Sequence, residues 1–76
     1  MKELLKIITQ PLVNEPDKII INEIDQGNTI VLEIRVAPED MGKVIGKQGR
    51  RAQAIRSVMK AKATLEGKRV IVDIVG

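Results

Sequence analysis

The chain has 76 residues, enough for one small α+β domain spanning residues 1–76, and it contains no cysteine, histidine or aromatic residue. Because the commonest general base and the thiolate zinc ligands are absent, we predict a protein that is not an enzyme and has no metal or cofactor. The net charge of +3 is uneven: residues 1–42 carry −4 and residues 43–76 carry +7, which favours a polyanionic partner.

The first segment reads as a short helix. Residues 2–10 place leucines and isoleucines at helical spacing, and Pro11 should end or kink the helix. Lys6 interrupts the apolar run, no small-residue cleavage site follows it, and no stretch of the chain is long enough to cross a bilayer. We therefore expect a cytoplasmic protein without contact to a membrane.

Two strands joined by a short turn are predicted next. Residues 18–25 are rich in isoleucine, residues 25–28 supply turn chemistry, and residues 29–36 form the second strand. Apolar side chains alternate in that second strand, where one face consists of Ile30, Leu32, Ile34 and Val36. The short connection makes the pair an antiparallel hairpin.

The remaining elements are two helices and a third strand. Pro38 fits the first turn of a helix whose buried stripe is Met41, Val44 and Ile45. A long helix follows from about residue 50 to residue 66, with Ile55, Val58 and Met59 facing inward, and Gly67 is a natural stop. Residues 68–75 alternate as a strand with Val70, Val72 and Ile74 on its inner face.

The resulting order is α-β-β-α-α-β. Because two helices separate the second and third strands, these strands should pair in parallel through a right-handed crossover. A three-stranded mixed sheet with all helices on one face follows. The other face should carry Ile71 and Val75 with some of Ile19, Ile21 and Val31, which is apolar enough to indicate a partner.

A glycine loop joins the two middle helices. Gly46 and Gly49 bracket Lys47 and Gln48, so the backbone can turn tightly and let a phosphate approach. The next helix points its N-terminal dipole at this loop, which makes the loop a candidate anion site. Spacing excludes a P-loop and a dinucleotide fingerprint, although glycine turns also join helices for purely steric reasons.

The motifs resemble a known family. The helix order with a glycine-x-x-glycine loop between the middle helices resembles a type II KH domain. More narrowly, the chain is similar to the KhpA family, small bacterial RNA-binding proteins of one KH domain. The resemblance rests on three segments, which are Lys6 to Val13, Val36 to Arg50 and Glu66 to Val70.

The resemblance implies a function that composition does not show. It implies a single-stranded RNA clamp on Gly46, Lys47, Gln48 and Gly49. It also implies an RNA chaperone that associates with a second KH-domain protein, KhpB, and that influences cell elongation and cell wall synthesis. Because a cleft for about four nucleotides without stacking aromatics should bind weakly, we expect a homodimer or a heterodimer. The loop's chemistry adds further candidate RNA contacts beside the clamp, namely Lys43, Ile45, Arg50 and Arg51.

Two other functions stay open on the sequence. A helix-turn-helix protein would read duplex DNA with Arg50, Gln53 and Arg56, although strands on both sides of the helix pair argue against it. A pure interaction module would only dock a protein partner.

Overall fold

The predicted α+β order is confirmed by the computed structural model, which describes residues 1–75. Within these residues the helices and strands are α1 (Lys2–Thr9), β1 (Ile20–Asp25), β2 (Thr29–Arg35), α2 (Met41–Ile45), α3 (Arg50–Leu65) and β3 (Arg69–Val75). Short 3-10 turns occupy Gln10–Leu12, Pro16–Lys18, Pro38–Asp40 and Lys47–Gly49. No helix among residues 1–75 has the length and apolar character needed to cross a membrane.

Prolines set two of the element boundaries. The first helix ends at Thr9, and Pro11 lies in the 3-10 turn that follows, as a residue without a backbone donor requires. β1 begins two residues later than predicted because Pro16 starts a 3-10 turn that includes Lys18. The chain extends into the strand only after that turn.

The sheet has the order β1-β2-β3, with β1 antiparallel and β3 parallel to the central strand β2. Ile34 of β2 pairs with Ile21 on one side and with Ile74 on the other, so these three side chains share the face covered by the helices. This topology confirms the predicted crossover through α2 and α3.

The core lies between this face and the helices. Its most deeply buried members are Leu5, Leu32, Ile34, Val44 and Met59, each with 0% of its surface exposed. The prediction that Val58 faces inward is wrong, since 46% of its surface is exposed. The buried stripe of α3 is Ala52, Ile55, Met59 and Ala63, and successive helical residues differ by about 100°, so Val58 points sideways into solvent.

The uncovered face of the sheet is partly apolar and carries Val31, Ile71 and Val75 as predicted, together with Ile24, which the prediction did not include. Ile21 belongs to the covered face and Ile19 is buried. Ile24, Val31 and Ile71 form one cross-strand row of the open face. Because strand side chains alternate, the register of Ile21 with Ile34 decides which isoleucines of β1 are exposed.

Candidate functional site

The glycine loop forms the junction of α2 and α3, and Gly46 is its most constrained residue. Gly46 has φ 75° and ψ 178°, a combination that only glycine adopts without strain. A Cβ atom at this position would lie 2.5 Å from the Cβ of Arg51 and 3.0 Å from its backbone nitrogen. Both the backbone angles and the close approach of α3 therefore require glycine here.

The rest of the loop continues this tight turn. Gln48 has φ 57° and Gly49 has φ 74°, both in the left-handed region. The N–H of Gly46 donates to the Gly42 carbonyl at 2.9 Å, and the N–H of Gly49 donates to the Gly46 carbonyl at 3.2 Å. Lys47 and Gln48 begin the 3-10 turn Lys47–Gly49, and the first N–H groups of a helical turn have no partner within that turn, so two backbone donors are available for an anion.

Arg51 secures the loop from the side of α3. Its Nη1 atom lies 2.6 Å from the carbonyl oxygen of Lys43, to which it donates a hydrogen bond. This carbonyl is in the last turn of α2, where helix geometry provides no partner within the helix. The guanidinium therefore satisfies an orphan acceptor and fixes α2 against α3.

Asp40 secures α2 from its other end. Its carboxylate is buried, with 1% of the residue exposed. It accepts hydrogen bonds from the backbone N–H groups of Asn14 and Glu15, with a nitrogen–oxygen distance of 3.1 Å in each. The Nζ atom of Lys43 lies 3.6 Å from Oδ1 of Asp40. The hydrogen bond from Asn14, joined by those from Glu15 and Lys43, outweighs desolvation and lowers the pKa of Asp40.

Sequence reasoning missed this anchoring role of Asp40. In the sequence Asp40 is only an acidic residue two positions after Pro38, whereas its hydrogen-bond partners lie 25 and 26 residues earlier in the chain. No local pattern marks such a contact, because it arises from the path of the chain after α1. Asp40 is one of two buried polar or charged residues in the described part of the chain, and the other is Thr9.

The eight predicted site residues fall into three groups. Lys43 and Arg51 have intramolecular partners, in Asp40 and in the Lys43 carbonyl. Lys47, Gln48 and Arg50 are exposed, and their side chains make no ion pair or hydrogen bond with residues 1–75. The remaining members are Gly46, Gly49 and the half-buried Ile45.

The junction therefore combines two kinds of anion-binding group. Its unpaired side-chain charges are those of Lys47 and Arg50, and its backbone donors belong to Lys47 and Gln48. A charged side chain and backbone N–H groups act together on phosphate oxygens, since each hydrogen bond to an anion is stronger than one between neutral groups. The arrangement fits a phosphodiester group and offers no nucleophile or general base.

Comparison with known proteins agrees with this geometry. The family described as "KhpA/KhpB, KH domain" matches residues 2–74. A relative in Caldanaerobacter subterraneus subsp. tengcongensis, named RNA-binding protein KhpA, is 59% identical over 75 residues, covering 99% of this chain and 100% of the relative. Proteins of the same name in Clostridium acetobutylicum and Aquifex aeolicus are 56% and 42% identical, covering 99% and 97% of this chain and 100% and 94% of their own lengths. No solved structure matches the chain.

Proposed function

Because the chain belongs to the KhpA/KhpB KH-domain family, we propose that residues 1–76 act as one KH domain that binds single-stranded RNA without catalysis. The observation that carries the proposal is the conformation of Gly46 to Gly49. The backbone angles of Gly46, which are reserved for glycine, place the first two N–H groups of the 3-10 turn beside two unpaired cations. KH domains clamp about four nucleotides by their backbone with such a loop.

Each site residue has a distinct part in this proposal. Gly46 and Gly49 shape the loop, while Lys47, Gln48 and Arg50 contact phosphates. Lys43 and Arg51 hold α2 and α3 together and add positive charge at the same place. Ile45 forms an apolar wall beside the bound RNA. Without aromatic side chains the protein reads bases weakly, since backbone contacts position a strand without distinguishing its sequence.

The loop is tested by the double variant Lys47→Asp/Gln48→Asp. Both side chains are exposed, and aspartate tolerates the left-handed conformation of Gln48, so the fold should survive. We expect RNA binding, measured by fluorescence anisotropy, to be abolished while the melting temperature from circular dichroism stays unchanged. Unchanged affinity in the folded variant would remove the loop from the binding site.

A matched control separates the local effect from net charge. Lys2→Asp/Gln26→Asp makes the same residue changes at exposed positions of α1 and the β1–β2 turn, outside the loop. It should keep most of the RNA affinity. Duplex DNA is the competitor that tests the alternative helix-turn-helix function, and strong competition by it would favour that function.

We further propose that the protein works as a dimer, either with a second copy or with a KhpB-like KH-domain protein. Family membership supports the partner, and the exposed Ile20, Ile24 and Ile71 on the open sheet face supply apolar surface. Two joined RNA sites also raise affinity without new contacts. Sedimentation at micromolar concentration, with and without the partner, tests this, and a monomer in both samples would contradict it.

The cellular part of the proposal rests on the family alone. We propose an RNA chaperone whose pairing with KhpB influences cell elongation and cell wall synthesis. Chaperone activity predicts faster annealing of complementary RNA strands in the presence of the protein. Cells that carry the loop variant should have the same altered length as cells lacking the protein. A loop variant of normal cell length would favour a pure interaction module.

A further inference from the structure

The buried carboxylate of Asp40 has no part in the proposed RNA contacts. Only 1% of the residue is exposed, and it lies at the start of α2, whereas Gly46 follows the end of that helix. A buried carboxylate costs free energy unless its oxygens accept hydrogen bonds. The partners of these oxygens therefore show what Asp40 does for the fold.

The side chain of Asp40 does not cap its own helix. Asp40 immediately precedes α2, where an aspartate ordinarily accepts N–H groups of the first helical turn. Within the described part of the chain it makes no such bond, and its two oxygens instead accept the backbone N–H groups of Asn14 and Glu15, each at 3.1 Å. The carboxylate thus joins the start of α2 to the connection between α1 and β1.

This connection is itself held firmly. Val13 and Ile19, which flank it, are buried in the core. Between them the N–H of Lys18 donates to the Glu15 carbonyl at 3.0 Å, and the N–H of Ile19 donates to the Pro16 carbonyl at 3.2 Å. Asp40 is therefore attached to a fixed support.

The helix α2 carries this attachment to the glycine loop. With five residues α2 is too short to be stable alone, so its direction depends on the contacts of Asp40, Val44 and Arg51. The step from Asp40 to Gly46 corresponds to about 9 Å along a helix axis. A tilt of about 10° at Asp40 would move the loop by about 1.5 Å, more than the roughly 0.5 Å that a preorganised site tolerates.

Asp40 also orients one cation of the candidate site. The Nζ atom of Lys43 lies 3.6 Å from Oδ1 of Asp40, and the carbonyl oxygen of the same lysine accepts the hydrogen bond from Arg51. The contacts that hold the two ends of α2 therefore meet at Lys43, three residues before Gly46.

We propose that Asp40 is a positioning residue for RNA binding, which acts through α2 on the glycine loop without touching the RNA. This inference rests on the proposed function and names a residue behind its site. Charge alone predicts the opposite effect, because a carboxylate near the loop repels phosphate and its removal should strengthen binding. Weaker binding after neutralisation of Asp40 thus reports position and not charge.

The first test compares three variants on a decanucleotide RNA without secondary structure. Asp40→Asn places an amide NH₂ group against the two backbone donors. Glu39→Gln removes the same charge from the exposed neighbour. Ile30→Val lowers stability by trimming a residue that is 3% exposed, near the start of β2, whereas α2 follows the end of that strand.

We expect Asp40→Asn to bind the decanucleotide roughly fivefold more weakly, although its net charge is one unit more positive. Glu39→Gln should bind as tightly as the unaltered protein or slightly more tightly, and Ile30→Val should keep its affinity. Fluorescence anisotropy measures the binding. Circular dichroism melts establish that each variant is folded at the assay temperature.

The second test uses the unaltered protein. Because coupling between two sites is reciprocal, RNA at the loop should strengthen the hydrogen bonds of Asp40. The backbone N–H groups of Asn14 and Glu15 should therefore exchange with solvent deuterium more slowly when the decanucleotide is bound. The N–H of Gly27 is a matched control, since it donates to a carboxylate oxygen of Asp25 at 2.9 Å outside the site, and its exchange should stay the same.

Four results would overturn the inference in distinguishable ways. Equal affinities of folded Asp40→Asn and Glu39→Gln would remove the positioning role, and equal losses in Asp40→Asn and Ile30→Val would reduce it to general stability. Unchanged exchange of the Asn14 and Glu15 amides on RNA binding would contradict the coupling even if Asp40→Asn does not fold. Failure of the unaltered protein to bind any RNA would overturn the proposed function itself, and this inference with it.

Discussion

The guanidinium of Arg51 donates a hydrogen bond to the carbonyl oxygen of Lys43 across 2.6 Å, so the first turn of α3 supports the last turn of α2. α2 has five residues, and an isolated helix of that length is not stable in water. Arg51 thus contributes to the position of the glycine loop as well as to its charge. Its neighbour Arg50 makes no side-chain hydrogen bond or ion pair within residues 1–75 and contributes charge alone.

This difference predicts distinct effects for two variants of equal charge. Arg51→Gln should lower the free energy of unfolding by about 1 kcal/mol because the Lys43 carbonyl loses its charged donor. Arg50→Gln should leave stability unchanged and weaken RNA binding only. Urea unfolding and fluorescence anisotropy separate the two quantities. Equal stability of the two variants would show that the hydrogen bond contributes nothing to the fold.

The two loop glycines should differ strongly in their tolerance of alanine. Gly46→Ala combines a backbone conformation reserved for glycine with a collision at Arg51, and should cost about 2–4 kcal/mol of unfolding free energy. Gly49→Ala meets no atom within 4 Å and should cost about 1 kcal/mol for its left-handed angles. Gly49→Asn should cost less still. Urea melts of the three variants give the comparison, and equal costs for the two alanine variants would contradict it.

The lowered pKa of Asp40 predicts how the stability of the fold decreases in acid. Its folded-state pKa is lowered by the N–H of Asn14 first and by Glu15 and Lys43, so the charged form is stabilised by folding. The stabilisation is complete above the ordinary carboxyl pKa of 3.8 and is lost as the pH falls through the lower folded-state value. Thermal melts between neutral pH and acid should show this loss. Asp40→Asn should be less stable at neutral pH, and its stability should depend less on pH below pH 3.8, the ordinary pKa of the carboxyl. Glu39→Gln changes an exposed neighbour and should follow the unaltered protein.

Two adjacent residues of α3 test the position of the core. Met59 is fully buried, so Met59→Ala should cost about 2–5 kcal/mol of unfolding free energy. Val58 is 46% exposed, and Val58→Ala should change it by less than about 1 kcal/mol, because little apolar area returns to water. A large loss on truncating Val58 would mean that α3 is rotated about its axis.

The salt dependence of RNA binding reports how many phosphates the site neutralises. Three or four phosphates at the loop predict a slope of log affinity against log salt of about −2 to −3, at about −0.7 per phosphate. A long electrostatic groove that used the whole basic block of residues 43–69 would give a steeper slope, nearer about −5. Titration of a decanucleotide RNA without secondary structure at several salt concentrations measures the slope. A slope of about −5 or steeper would contradict a site limited to the loop and the start of α3.

Much of the fold follows from local chemistry in the sequence. Alternating apolar residues specify β2, Gly67 stops α3, and Pro11 and Pro16 interrupt regular structure where they stand. The glycine loop is equally local, since the need for positive φ at Gly46 and Gly49 is a property of the backbone at those residues. The sequence therefore determined the order of elements and the position of the candidate loop.

Only the tertiary structure decided which residues are in contact. The partnership of Asp40 with Asn14 joins residues 26 positions apart, and that of Arg51 with Lys43 crosses from one helix to another. Pairing register, set by the whole sheet, placed Ile24 rather than Ile21 on the open face, and packing of α3 turned Val58 to solvent. Such contacts depend on how the elements pack in three dimensions, because helical or strand periodicity fixes a side chain's spacing but not the surface that it meets.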